Sequence, residues 1–304
     1  MGFHLAGHFA MVGRIDLAEF DWLRDNDWGK LVTYLPLRDV ATSGESADTY
    51  GAWLASIDKR LQTADQDRNV IVRDVLREIY FPFLSAELDE SRLPAPTRVA
   101  LTNLDPRNVT LEPEYYRDID PDLYYERKPL IWLWQMFDRS HLGANVDLGV
   151  KFRRLLAPYV FKRVGVNFKA FHFVEVSYGY NLEIGDDVVI HRNVHLDDRG
   201  GIRIGNRVSI SDYAAIFSHT HSINEINEVT CVPTVIADDV RITYGAVILA
   251  GVHVGAHGMV GARALATRDV RPYHVNVGMP AKSVRVKSIA PPEHQPVVNV
   301  PHED

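Results

Sequence analysis

Two histidines one residue apart, in the stretch AIFSHTHSIN at residues 215–224, are where this chain has the means to do chemistry. In an extended strand His219 and His221 point to the same side. Such a pair can be half of a metal site, a catalytic base with a helper, or two solvated loop residues. An aliphatic run ends just before them and a polar loop begins. The scaffold that carries the stretch therefore decides among the three.

That scaffold shows itself as a period of six. Aliphatic residues fall at Ile184, Ile190 and Leu196, at Ile204, Ile210 and Ile216, and at Ile236, Ile242, Ile248, Val254 and Val260. Small or β-branched residues follow four positions later, at Val188, Val194, Val208, Ala214, Val240, Ala246 and Val252. Neither a helix (period 3.6) nor a hairpin (period 2) gives this pattern. A repeat of six marks a parallel β-helix, with short strands stacked coil upon coil around an aliphatic axis. The phase breaks twice: DDRGG bulges by two residues after Leu196, and a longer insertion separates Ile216 from Ile236. The histidines stand at the base of that longer loop, and loops on rigid scaffolds commonly carry function.

The first half reads differently. TYGAWLASIDKRLQTADQ and NVIVRDVLREIYFPFLSAEL space apolar residues three and four apart, as helices do. Pro-containing breaks are expected at RLPAPTRVALTNLDPRNV and EPEYYRDIDPDLYY. KPLIWLWQMFDRSHL reads as a core helix, or as a wall of an apolar substrate pocket. The expected organisation is a mostly helical region at 1–164, a β-helix at 165–286 and a tail at 287–304.

Composition narrows the function classes. The 304 residues carry a formal net charge of −7, and general nucleic-acid binding needs a basic surface. The lone cysteine, Cys231, excludes an intrachain disulfide framework and fits a reducing compartment. The N-terminal MGFHLAGHFAMVGRID does not read as a signal peptide, and no run reaches the roughly 18 apolar residues of a spanning helix. A cytoplasmic protein without membrane or nucleic-acid partners is the expectation.

SYGYNLEIG, IRIGNRVSISDYAAIFSHTH and GMPAKSVRVK, in that order and spacing, resemble the hexapeptide-repeat acyltransferases, galactoside and maltose O-acetyltransferases most closely. The resemblance covers about residues 172–287. It implies a left-handed β-helix, a homotrimer, and acyl-coenzyme A and a sugar or glycoside acceptor bound between subunits, with no metal. It places His221 on the family's catalytic base. A neutral imidazole, with an ordinary pKa of about 6.5, suits taking a hydroxyl proton during acyl transfer from a thioester. A backbone N–H would then steady the tetrahedral oxyanion. No covalent enzyme intermediate is required, and Cys231 lies off the motif.

His219 has no counterpart in that family and reads as a loop histidine touching solvent or acceptor. His191 stands where the family has a functional Asn, so Asn193 or His191 takes that role, or the acceptor differs. Ser177 and Asp198 fall on acceptor-side positions, Asp198 within one residue. Ala262, Thr267, Arg268, Lys282 and Arg285 match coenzyme-contacting positions, and Tyr244 one whose backbone is used. Arg241 and Arg263 depart from a family Trp and Gly. An extra region of about 160 residues exceeds the short helical cap of the sugar acetyltransferases, which points to a larger acceptor or a longer acyl chain. In architecture and length the whole resembles actinobacterial octanoyltransferases acting on a glucosylglycerate. Two alternatives stay open: a zinc enzyme like the γ-class carbonic anhydrases, drawing on His195, His219, His221, His253 and His257, and a non-catalytic scaffold.

Overall fold

The structure, a computed structural model, describes residues 38–295 except 39, 64–65, 86–88 and 226. The N-terminal stretch and the last nine residues of the expected tail lie outside the described residues. The described elements all fall in one compact unit, Leu35–Asp304.

Among the described residues six α-helices come first: α1 (Glu45–Gln62), α2 (Arg68–Tyr80), α3 (Ala95–Leu104), α4 (Glu112–Tyr116), α5 (Pro121–Arg139) and α6 (Val146–Val160). The helical spacing of α1 buries Leu54, Ile57 and Leu61, and that of α2 buries Ile71, Val72, Val75, Leu76 and Ile79. Helix α2 stops at Tyr80, just before Phe81-Pro82, because a residue preceding proline is pushed out of the helical region. The break expected at RLPAPTRVALTNLDPRNV is instead the site of α3. Its prolines stand at the N-cap and in the first turn, where no backbone N–H is needed. Pro121 opens α5 for the same reason.

From Arg163, two residues before the expected boundary, the chain winds as a parallel β-helix with three faces. One face stacks Arg163–Val164, Leu182–Ile184, Ile202–Ile204, Thr234–Ile236 and His253–Val254. A second runs from Lys169–Ala170 to His274–Val277 and is closed by the antiparallel strand Lys282–Val286. The third stacks Glu175–Val176, His195–Asp197, Ala215–Phe217, Val247–Ile248 and Leu265–Ala266. All eleven aliphatic positions of the six-residue period are 3% exposed or less, and so are the seven positions four residues on. Burying each such Ile, Leu or Val side chain contributes roughly 1.5–3 kcal/mol as an upper estimate.

Helices α5 and α6 pack on the first coils. Trp134 donates its Nε1–H to Val174 O at 3.0 Å, and Asp138 Oδ2 accepts from the Phe173 N–H at 2.7 Å. Arg153, 1% exposed, pairs with Asp138 and donates to Gly143 O and Ala170 O. Tyr180 Oη accepts from the backbone N–H of Asp120, the residue that caps α5. Helix α5 is therefore held against the solenoid at both ends and in its middle. The aromatic segment is a core helix, with Ile131, Trp132, Leu133, Trp134 and Phe137 buried, and its residues Ile131, Gln135 and Arg139 line a cavity.

Candidate functional site

Strands alternate their side chains, and this decides the floor of the cavity. Leu196 and Ile216 turn into the solenoid, so Glu175, Ser177, His195, Asp197 and Phe217 turn outward. The register sets His195 over Glu175, and Phe217 over Asp197. These residues floor a cavity of about 410 Å³. Leu111, Glu112, Pro113 and Tyr116 with the inner face of α5 form its wall, and His219 and His221 close its third side.

The histidines reach the cavity on a hairpin thrown out of the solenoid. His219–His221 pairs antiparallel with Val229–Cys231, His219 opposite Cys231 and His221 opposite Val229. The root of the hairpin is fixed by Ser218, which is fully buried. Its Oγ donates to Asp197 O at 2.5 Å and accepts from the Gly200 N–H at 2.8 Å, while Val232 N–H donates to Ser218 O at 2.8 Å. A Cβ on Gly200 would stand 2.1 Å from Ser218 O, so the DDRGG bulge needs glycine there for the backbone to approach so closely.

Asp197, 2% exposed, meets His219 through Oδ2 and Nδ1, and neither atom has another partner among the described residues. Ser177 Oγ donates to the other carboxylate oxygen at 3.3 Å. His221 is exposed on the hairpin and packs edge-to-face on His219, ring centroids 5.2 Å apart at 82°. Both the serine and the histidine hang on the aspartate, so this is no chain of nucleophile, base and orienter. It presents two imidazoles, one anchored and one exposed, over a polar floor.

Asp198 is fully buried and does not line the cavity. It accepts from the backbone N–H groups of Tyr178 (2.7 Å) and Asn181 (3.2 Å). Burial nevertheless pushes its carboxyl up to about 6. Next to it, Arg199 pairs with Asp118 in the loop before α5 and lies over the Tyr116 ring at 5.2 Å. Burial works against the charge on Asp118, but hydrogen bonds from Tyr178 and Arg199 outweigh it and hold the carboxyl below its ordinary value.

His191 and Asn193 stand elsewhere. His191 stacks on Phe171 at 4.9 Å, lines a second cavity with Lys169 and Thr42, and has its pKa lowered by burial. Asn193 occupies a left-handed turn at φ 56°. Neither lines the cavity of His221 in the same chain.

The six remaining residues are exposed and sort into groups. Tyr244 and Ala262 belong to one corner, where Arg263 N–H donates to Tyr244 O at 2.9 Å and its guanidinium covers the Tyr244 ring. Thr267 and Arg268 follow Leu265–Ala266, two coils above Ala215–Phe217, at the corner from which the histidine hairpin departs. Lys282 and Arg285 lie on the closing antiparallel strand, opposite Val277 and Val275.

No group of three His, Cys, Asp or Glu side chains among the described residues could hold a metal ion. The spacing of the sequence does not single out Asp197, Arg199, Tyr116 or the inner face of α5. For Asp197 a signal exists, since the coil repeats every twenty residues here and sets it directly beneath Phe217. No periodic signal places α4 and α5 over that face.

No protein-family model matches the chain. A protein of Schizosaccharomyces pombe, provisionally named an acetyltransferase, is 31% identical over 113 residues, covering 36% of this chain and 55% of its own length. The galactoside O-acetyltransferase of Escherichia coli is 29% identical over 153 residues, covering 49% of this chain and 73% of its own. The chain thus spans about half the length of the first relative and more of the second. A hexapeptide-repeat acetyltransferase of Vibrio cholerae, solved with acetyl-coenzyme A, covers 55% of this chain and 88% of its own at 29% identity, with a TM-score of 0.47.

Proposed function

We propose that this chain is an acyltransferase that moves an acyl group from acyl-coenzyme A to a hydroxyl of a sugar or glycoside. The observation that carries the proposal is the juxtaposition of His221 with a walled, polar-floored cavity at the same corner as Thr267 and Arg268. The sequence likeness to acetyltransferases, one of them named for galactosides, supports the donor and the acceptor class.

His221 serves as the general base. Its imidazole takes the acceptor hydroxyl proton as that oxygen attacks the thioester carbonyl. A C–O bond forms, the C–S bond breaks, and the thiol of coenzyme A leaves with the proton returned by the imidazolium. Ser177 and the cavity floor hold the acceptor. Arg268, Lys282 and Arg285 meet the phosphates of the donor through charge-assisted hydrogen bonds, with Thr267, Ala262 and Tyr244 beside them. A homotrimer completes the site, because His191 and Asn193 can serve an acceptor at His221 only from a neighbouring copy. The cytoplasm is its compartment.

The test is incubation of purified protein with acetyl-, butyryl-, hexanoyl- and octanoyl-coenzyme A over a panel of sugars and glycosides, with the products read by mass spectrometry. An O-acylated sugar supports the reading, and the preferred donor sets the chain length between acetyl and octanoyl. A panel without any acyl product contradicts it.

A further inference from the structure

A catalytic base must be held within about half an ångström of its working position, and a side chain on a loop rarely achieves this unaided. His221 has that problem. It is exposed, and the backbone hydrogen bond Val232 N–H to Ser218 O closes its hairpin at the root. The next histidine supplies the remedy. His219 faces the same way from the same strand, and its Nδ1 reaches Asp197, a carboxylate 2% exposed on a rigid solenoid strand.

The geometry points to Asp197 and His219 as a positioning pair that pins the hairpin to the solenoid and fixes the ring of His221. Asp197 holds His219 through its Oδ2 and is itself steadied by Ser177. The edge-to-face packing of the two imidazoles, 5.2 Å between centroids, transmits that order to His221. The backbone contributes at the same point, since the carbonyl of Asp197 accepts from Ser218, the residue before His219. One aspartate thus fastens the loop root by its main chain and the loop's first histidine by its side chain. His219 acts through His221 and is not the base.

This inference rests on the acyltransferase reading, so its test carries one readout tied to activity and one that is not. The variants are Asp197→Asn, His219→Ala, His219→Asn and His221→Ala. In His219→Asn the side-chain amide keeps an N–H donor close to the place of Nδ1. The expected order of kcat is His221→Ala lowest and His219→Ala intermediate, with His219→Asn largely restored and KM for acyl-coenzyme A unchanged throughout. If His219→Asn is as inactive as His219→Ala, and both fall to or below His221→Ala, then His219 is itself the base and the positioning role is overturned. Full activity in His219→Ala overturns it too. The second readout is amide hydrogen exchange over residues 219–231, which needs no substrate. Asp197→Asn and His219→Ala should speed exchange there about tenfold or more while leaving the solenoid strands protected. Unchanged exchange in the hairpin overturns the positioning pair whether or not any acyl transfer is found, and faster exchange in a protein without activity leaves the pair standing while the acyltransferase reading falls.

Discussion

Arg199, on the solenoid, pairs with Asp118 in the loop before α5 and lies over the Tyr116 ring, and both Arg199 and Tyr116 line the cavity. Because the Tyr178 hydroxyl also donates to Asp118, one carboxylate gathers two solenoid side chains onto the loop that leads into α5. The helical wall of the cavity is therefore tied to its floor.

Replacing Arg199 by Ala should loosen that wall. Removing a charge-assisted hydrogen bond costs about 1.5–3 kcal/mol where it is buried, and less here because the Asp118 side chain is 36% exposed and solvent screens the pair. Part of this cost should appear as a several-fold higher KM for the acceptor, with KM for acyl-coenzyme A unchanged. Steady-state kinetics with each substrate varied in turn, together with a thermal melt, checks this.

Arg268→Ala and Lys282→Ala should act on the donor. Each removes a charge-assisted hydrogen bond to phosphate in a site open to solvent, which corresponds to roughly tenfold to a hundredfold in KM for acyl-coenzyme A at nearly constant kcat. The penalty should shrink as salt rises, because exposed phosphate interactions are screened. A fall in kcat at saturating donor with KM preserved would remove these residues from the coenzyme site.

If subunits share the site, two inactive chains should repair each other. Co-expression of His221→Ala with His191→Ala, Asn193→Ala chains should restore measurable activity that neither protein has alone. Light scattering should give three times the mass of the chain. An active monomer, or the absence of complementation, would place the whole site within one copy.

The raised pKa of Asp198 carries a pH signature in stability. Its folded value of about 6 lies above the ordinary 3.8, so the folded state binds the proton more tightly than the unfolded chain. Stability from this group is greatest below about pH 4, is lost as pH rises through 6, and stays flat beyond. The decrease totals about 3 kcal/mol, from roughly two units at 1.4 kcal/mol each. Denaturant melts of wild type and Asp198→Asn should show their difference moving in favour of the variant between pH 4 and 6 and constant above. A constant difference across that window would contradict it.

The solenoid was legible in the sequence because its core repeats. Each coil must place an aliphatic residue on the axis, and Ile184 through Val260 do so at fixed intervals. The helices α1 and α2 were legible for a similar reason, whereas α3 was hidden by prolines that happen to occupy the positions a helix tolerates. Within the site, His219 and His221 stood out by spacing. The partner of His219 did not, since Asp197 and Asp198 are adjacent and only the register of the coils tells which one faces outward. The wall made by Tyr116, Ile131 and Gln135 depends on how α4 and α5 dock on the third face, and that docking rests on long-range hydrogen bonds such as Trp134 to Val174 that no local pattern encodes.

The most direct test of acyl transfer is the release of free coenzyme A thiol from acyl-coenzyme A, with and without a sugar acceptor, by wild type and His221→Ala at saturating donor. Wild type should release thiol in step with the acceptor concentration, and His221→Ala should release it roughly 10²–10⁴-fold more slowly with donor affinity retained. Thiol release that ignores every acceptor, or that proceeds equally in His221→Ala, would contradict base-catalysed transfer from this site.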